Sequence, residues 1–258
     1  MPYTLSHVAA VVPFTRPLAR LRVLSAAVIG SMVPDFHYLL PFAAARFESH
    51  SAAALWSFCL PVGLLSYWIF QFLMKRPLLS VLPDAAYLRW LPHSAPAPLG
   101  SLRQWLLAAA GVLLGAVTHL AWDAFTHEDA RGVRMVPELA DQVLVHGRLL
   151  TGARMLQDLS SVLGFLVVIA AVAYALRSGG PATVAPARAL SAPERRIWVG
   201  VYACAALLCG AGFLWLDHPP AGGRWGWLSG VAIALLRALA AAALGVSVLL
   251  QGYLRSRG

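Results

Sequence analysis

Charge is what this chain has least of. Asp, Glu, Lys and Arg together make up 12% of its 258 residues, about half the share of an ordinary soluble domain. Acids are scarcest, 11 against 20 Lys and Arg, for a net charge of +9. The three cysteines, Cys59, Cys204 and Cys209, lie singly in apolar segments with no CxxC pair, which leaves them as core or lipid-facing residues. There is no Gly-rich phosphate loop, no HExxH and no nucleophile elbow, so neither a P-loop nor Ser-based acyl transfer is supported. The paired histidine box of membrane desaturases is absent as well. The N-terminus, Met1-Pro2-Tyr3-Thr4-Leu5-Ser6-His7, lacks a basic region ahead of an apolar core, so no cleavable signal peptide is expected and insertion would rely on internal spans.

Hydrocarbon takes the place of charge: 59% of the residues are hydrophobic, and the mean hydropathy is +0.69. Uncharged apolar runs of about 20 residues read as membrane spans. Four cover roughly 52–74, 105–127, 159–176 and 197–216, and a fifth, roughly 228–250, contains Arg237, an intramembrane cation expected to face the bundle interior. The run 23–45 is long enough to be a sixth, but Pro34, Asp35 and His37 interrupt it, so it either spans or packs as two half-helices. The expected fold is therefore all-α: a polytopic helical membrane bundle of about five transmembrane helices plus an N-terminal pair able to pack without spanning.

A pI of about 10.2 would suggest nucleic acid in a soluble protein. Here the arginines flank apolar spans instead of forming a stripe, so no nucleic-acid partner is expected, only the lipid bilayer. The basic segments 75–104 and 177–196 and the tail with Arg255 and Arg257 alternate correctly to be cytoplasmic. The acid-rich segment 128–158 and the stretch before Ala52 then share the other face. A helical region 1–176, a Gly/Pro/Arg-rich loop 177–196 and a C-terminal pair of spans 197–258 are the expected divisions.

Against this background the polar residues inside apolar sequence stand out. His119, Asp123 and His127 recur at four-residue spacing. Each such step on a helix advances about 6 Å and drifts about 40°, so the three share a face, with the outer two roughly 12 Å apart. A central carboxylate between two histidines suits bridging two ions better than closing one shell, although a buried polar residue is often merely hydrogen-bonded to a neighbour. Asp35 follows Pro34 in an apolar run, where an unpartnered carboxylate is costly and needs a cation or a donor such as Ser31. His50 opens the first span, His127 ends the second and Asp158 precedes the third, so all three fall at one membrane face. His7 opens an apolar helix that Thr4 could cap. It joins the others only if the N-terminal region does not span, whereas Arg16, Arg20 and Arg22 favour the cytoplasm and would strand it. His93, His146 and His218 sit in proline-rich or loop sequence and read as turn or loop residues. An axial-histidine haem site is disfavoured by Asp123, and no nucleotide or haem is expected.

Met1 to His7, Ile29-Gly30-Ser31-Met32-Val33-Pro34-Asp35-Phe36, Ser49-His50-Ser51 and the run His119 to His127 resemble, in order and spacing, the signatures of the bacterial membrane family called domain of unknown function 4184, over roughly 1–176. The same order is more distantly similar to the zinc-dependent phospholipase C and nuclease superfamily and to membrane proteins labelled metal-dependent hydrolases. In those enzymes bridged metals activate water against a phosphoester. That resemblance implies divalent metal, zinc foremost and up to two ions, held by Asp35, His50, His119 and Asp123, with His7 and His127 as outer ligands and Asp35 and Asp123 as the catalytic carboxylates. The chain departs from the family pattern at Gln157-Asp158-Leu159-Ser160-Ser161, where Asp158 stands in place of histidine as a substitute ligand. The expected function is a metal-dependent hydrolase of a phosphoester or lipid head group. The alternative is a non-catalytic membrane protein whose cluster is structural or binds an ion for transport.

Overall fold

The computed structural model describes residues 4–39, 49–91, 95–128, 130–145, 147–178, 190–217 and 223–256. His93, His146 and His218, and residues 179–189 of the expected loop 177–196, lie outside the described residues. Among the described residues five helices are long and apolar enough to cross a membrane: Leu55–Ser80, Leu102–Thr126, Gly152–Arg177, Ala192–Leu216 and Gly230–Arg255. At 1.5 Å per residue each is about 38 Å long, against a hydrocarbon core of about 30 Å. The chain is a multi-pass membrane protein. Its helices overrun the apolar stretches by several residues, and the first takes in Lys75 and Arg76, expected to lie in a loop. Long basic side chains continue a helix at little cost because their stems lie along apolar surface while their charges reach water.

The third span presents Leu159, Val162, Leu163, Leu166 and Ile169 outward, each about half exposed, as a lipid-facing wall requires. Exposed Trp56, Trp105, Trp122 and Trp215 mark span ends, where amphipathic rings favour the interface. Within the first span, Leu55–Cys59 and Phe70–Met74 widen into π-helical turns just ahead of Pro61 and Pro77. Proline cannot donate to the carbonyl four residues back, and the wider turn takes up that break without ending the helix.

Two compact units are present, residues 1–37, 44–67 and 97–177 in one and 38–43, 68–96 and 178–258 in the other. The N-terminal region is a chain of short pieces, Thr4–Phe14, Thr15–Arg20 and Leu24–Gly30 in the first unit and Val33–Leu39, whose last two residues fall in the second. Even the longest, 11 residues of 3-10 helix, reaches only about 22 Å, too short to span. Arg22, at φ 60, turns the chain between two of them. Of the two readings open for 23–45, the described part, 23–39, forms two half-helices interrupted before Pro34.

Leu24–Gly30 lies against the second span through small residues. A Cβ on Gly30 would strike the Val112 backbone, and one on Gly115 would strike the backbone of Ala27, Gly30 and Ser31. Gly111 and Gly115, four apart, thus form a small-residue seam that permits backbone contact. Between the second and third spans come a short helix, Arg131–Met135, and a feature unforeseen from sequence, the antiparallel hairpin β1 (Gln142–Val145) and β2 (Arg148–Thr151), with Gly147 at φ 77 in its turn.

In the second unit the fourth and fifth spans pack together. Ser191 and Glu194 form a reciprocal cap at the start of the fourth, Tyr202 and Ser247 share a hydrogen bond of 2.9 Å, and Tyr253 donates to Glu194 at 2.7 Å. Arg237 finds its partner in this unit, Nε donating to the Tyr38 carbonyl at 2.6 Å.

Candidate metal centre

The second span carries His119 and Asp123 on its buried face one helical turn apart, 0% and 5% exposed. One turn earlier on that face sits Gly115, where the seam holds Ser31 close. The Ser31 carbonyl accepts a hydrogen bond from His119 Nδ1 at 2.7 Å. With Nδ1 carrying the proton, Nε2 is left as a lone pair directed at the cluster. Ser31 thus orients a histidine, and is not the donor to Asp35; its hydroxyl turns back to Val28.

Asp35 enters from the 3-10 turn after Pro34, and its Oδ2 accepts from Thr4 Oγ1 at 2.7 Å. Thr4 was expected to cap the N-terminal helix; instead it tethers that segment's first turn to the carboxylate, which brings His7 inward. The His7 ring stacks on His119 at a centroid distance of 3.7 Å and an interplanar angle of 17°. His50 arrives from the segment before the first span, with Nδ1 3.0 Å from the hydroxyl of buried Ser49. Sequence reasoning assigned no role to Ser49, which also contacts His37 Nδ1 at 3.2 Å. Its only signal was its place beside His50.

The resulting cluster is tight. Nε2 of His50 and of His119 each lie 3.3 Å from Asp123 Oδ2, His7 Nε2 lies 3.5 Å from Oδ1, and His127 Nδ1 lies 3.6 Å from Oδ2. Asp35 Oδ1 is 3.6 Å from His50 Nε2 and 3.8 Å from His119 Nε2. Yet His7 Nε2, His119 Nε2 and both Asp123 oxygens are buried without a hydrogen-bond partner. Ligand atoms at 2.0–2.2 Å around a tetrahedral ion stand about 3.4 Å apart, close to these separations. Among the described residues two triplets each bring one ligand atom per residue within 4.8 Å of the others, His7, His119 and Asp123, and Asp35, His50 and His119. Such a set of buried imidazole nitrogens and carboxylate oxygens could hold a metal ion.

Two expected ligands stand differently. His127 caps the second span in extended conformation (φ -112, ψ 131) and is half exposed, its ring folded back onto the Asp123 carbonyl at 3.2 Å. The helix ends at Thr126, so His127 does not sit on the regular face that the four-residue spacing implied. Asp158 joins neither triplet: its side chain is 57% exposed and pairs with Arg154 at 3.3 Å. The third span begins at Gly152, not near Leu159, which places Asp158 within it. Gln157, Ser160 and Ser161 form that helix's buried face, and a residue one step from Gln157 is turned about 100° away.

Protonation of the residues outside the spans follows from burial and pairing. Burial, then the neighbouring His119, lowers His7 to about 4, so it is neutral at pH 7. Burial also pulls His50 down, but the Asp123 and Asp35 carboxylates outweigh it and raise His50 to about 9. Burial pushes Asp35 up, while His50, His119 and Thr4 more than compensate and hold it below its ordinary value. At pH 7 a metal must therefore displace the His50 proton and none from His7. Apparent affinity should rise about tenfold per pH unit below 9, with about one proton released per ion. Calorimetric zinc titration at pH 6, 7 and 8 in buffers of different ionisation enthalpy reads both quantities; affinity independent of pH would contradict this account of His50.

The chain matches the family described as domain of unknown function (DUF4184) over residues 1–248, and it belongs to that family. The match reaches beyond residue 176, where the resemblance was expected to end, through most of the fifth span. No curated protein and no solved structure matches it.

Proposed function

We propose that this member of the DUF4184 family is a metal-dependent hydrolase of phosphoesters carried by lipid head groups, with its site at the outer face of a bacterial inner membrane. The observation that carries the reading is the set of four buried nitrogen and oxygen atoms of His7, His119 and Asp123 that stand 3.3–3.5 Å apart across each His–Asp contact yet make no hydrogen bond with any described residue. A structural polar cluster pairs its buried groups, because each orphan costs about 1–3 kcal/mol. His119 would hold the ion with either His7 and Asp123 or Asp35 and His50. Since His119 Nε2 has one lone pair and belongs to both triplets, one ion is favoured over two. A divalent ion supplies Lewis acidity and lowers the pKa of water. The chain's own part is orientation and access. Asp35 and Asp123 provide the negative charge that fixes the ion, Ser31 and Ser49 hold the rings of His119 and His50, and Thr4 closes the buried side over Asp35.

His50 and His127, 34% and 44% exposed at the side chain, leave the opposite edge open to an incoming substrate, as catalytic metal sites require. Support for a lipid rather than a soluble ester comes from the hairpin that follows this end of the second span. Leu144 and Leu149 face each other across it, 68% and 65% exposed, and Met135 nearby is 78% exposed. An isolated two-stranded hairpin with an apolar exposed pair is marginal in water and suits the membrane surface.

The test is hydrolysis by detergent-purified protein, before and after chelation and readdition of zinc, manganese or magnesium, of phospholipids in mixed micelles and of soluble phosphodiesters. Metal-dependent turnover of the phospholipid, at least tenfold over the soluble ester, is expected. Bound metal with turnover of neither class would favour the structural or ion-binding alternative, and absence of bound metal would defeat the reading.

A further inference from the structure

The second unit contains a cavity of about 430 Å³ that owes nothing to the His/Asp cluster. It is bordered by the last turns of the first span, the helix Asp84–Trp90, the segment around Ala95 and the last turns of the fifth span. Its volume lies within the range of small-molecule pockets and far exceeds that of one or two waters.

The lining is amphipathic. Phe72, Leu79 and Leu91 supply apolar wall, while Arg76 and Arg255, both exposed, supply positive charge. Neither guanidinium has an ion pair or hydrogen bond with any described residue. Each stands near the end of its membrane span, where phosphates of lipid head groups concentrate. Gln251 and Gln71 also line it, 8% and 4% exposed, and Gln71 Oε1 accepts from Lys75 Nζ at 3.1 Å.

We propose that this cavity binds an anionic phospholipid, its phosphate meeting Arg76 and Arg255 and its acyl chains following Phe72 and Leu79 toward the bilayer. A phosphate supplies the charge that two unpaired guanidiniums attract. A glycerol head group leaves the lipid with a net negative charge, whereas choline cancels it with its own ammonium. The proposal does not depend on the metal site.

The experiment uses the full chain in detergent, with thermal unfolding and native mass spectrometry in the presence of phosphatidylglycerol, phosphatidylcholine or sn-glycerol 3-phosphate. Phosphatidylglycerol should raise the melting temperature by several degrees and survive as a bound adduct, at least tenfold tighter than phosphatidylcholine. The double variant R76Q/R255Q should lose that preference. In lipid-free detergent that variant should melt with wild type, since neither exposed guanidinium has a partner among the described residues to lose. Equal binding of both lipids, or undiminished preference in R76Q/R255Q, would overturn the proposal. An equal shift with glycerol phosphate alone would overturn the assignment to a lipid in favour of a soluble phosphoester.

Discussion

Asp123→Asn is expected to leave the chain without metal, at less than about a tenth of an ion per protein by elemental analysis, and to lower any metal-dependent hydrolysis by about a thousandfold or more. Asp123 touches every histidine of the site: His7 through Oδ1, and His50, His119 and His127 through Oδ2. Asparagine keeps the shape but replaces one acceptor oxygen by a donor and removes the charge, so it cannot face both lone pairs and an ion. The change also removes one of the two carboxylates that face His50. The matched control is Asp158→Asn. Its exposed pair with Arg154 is worth well under about 1 kcal/mol, and metal content should stay at the wild-type level. Wild-type metal in D123N, or loss of metal in D158N, would refute the assignment of this carboxylate as the centre of the site.

A second large effect is expected far from any ligand atom. Gly115→Ala should lower the stability of the chain in detergent by about 3 kcal/mol and weaken metal binding in the same variant. The added Cβ would meet the Ala27 carbonyl oxygen, Ser31 N at 2.5 Å and Gly30 C at 2.8 Å, all backbone atoms with no rotamer to give way. Relief requires Leu24–Gly30 to move off the second span, and Ser31, at the end of that helix, holds His119 Nδ1. Gly111→Ala provides the graded comparison. Its nearest neighbour is the Ala26 Cβ at 3.1 Å, with the Val23 carbonyl at 3.3 Å, so a shift of a few tenths of an ångström suffices. It should cost about 1 kcal/mol and leave metal affinity near wild type. Melting temperatures and zinc dissociation constants for the pair check the ordering; equal effects at both positions would detach the seam from the site.

The spans were legible because lipid imposes a one-dimensional constraint: about 20 apolar residues in a row must be a helix, whatever surrounds them. Arg76 shows its limit, since a basic residue ends an apolar run without ending a helix. The hairpin was not legible, for its short strands between an acid-rich segment and a span give no period long enough to read. Asp35 and Asp123 stood out because a carboxylate in hydrocarbon demands a partner. Thr4, Ser31 and Ser49 did not, because a hydroxyl or a backbone carbonyl becomes informative only once its partner is known.

His119, Asp123 and His127 illustrate the division. Sequence by itself determined that His119 and Asp123 share a helical face, since a helix repeats every 3.6 residues wherever it is placed. It also determined that the chain crosses a membrane. Only the tertiary structure decided which ligands join that face. His7 and Asp35 come in because the N-terminal helices are too short to span and pack against the small-residue seam of the second span. His127 is set at the open edge because the helix stops one residue before it, and Asp158 is turned away because the third span begins earlier than its apolar run. Helix ends and helix contacts depend on residues distant in the chain, and no local pattern records them.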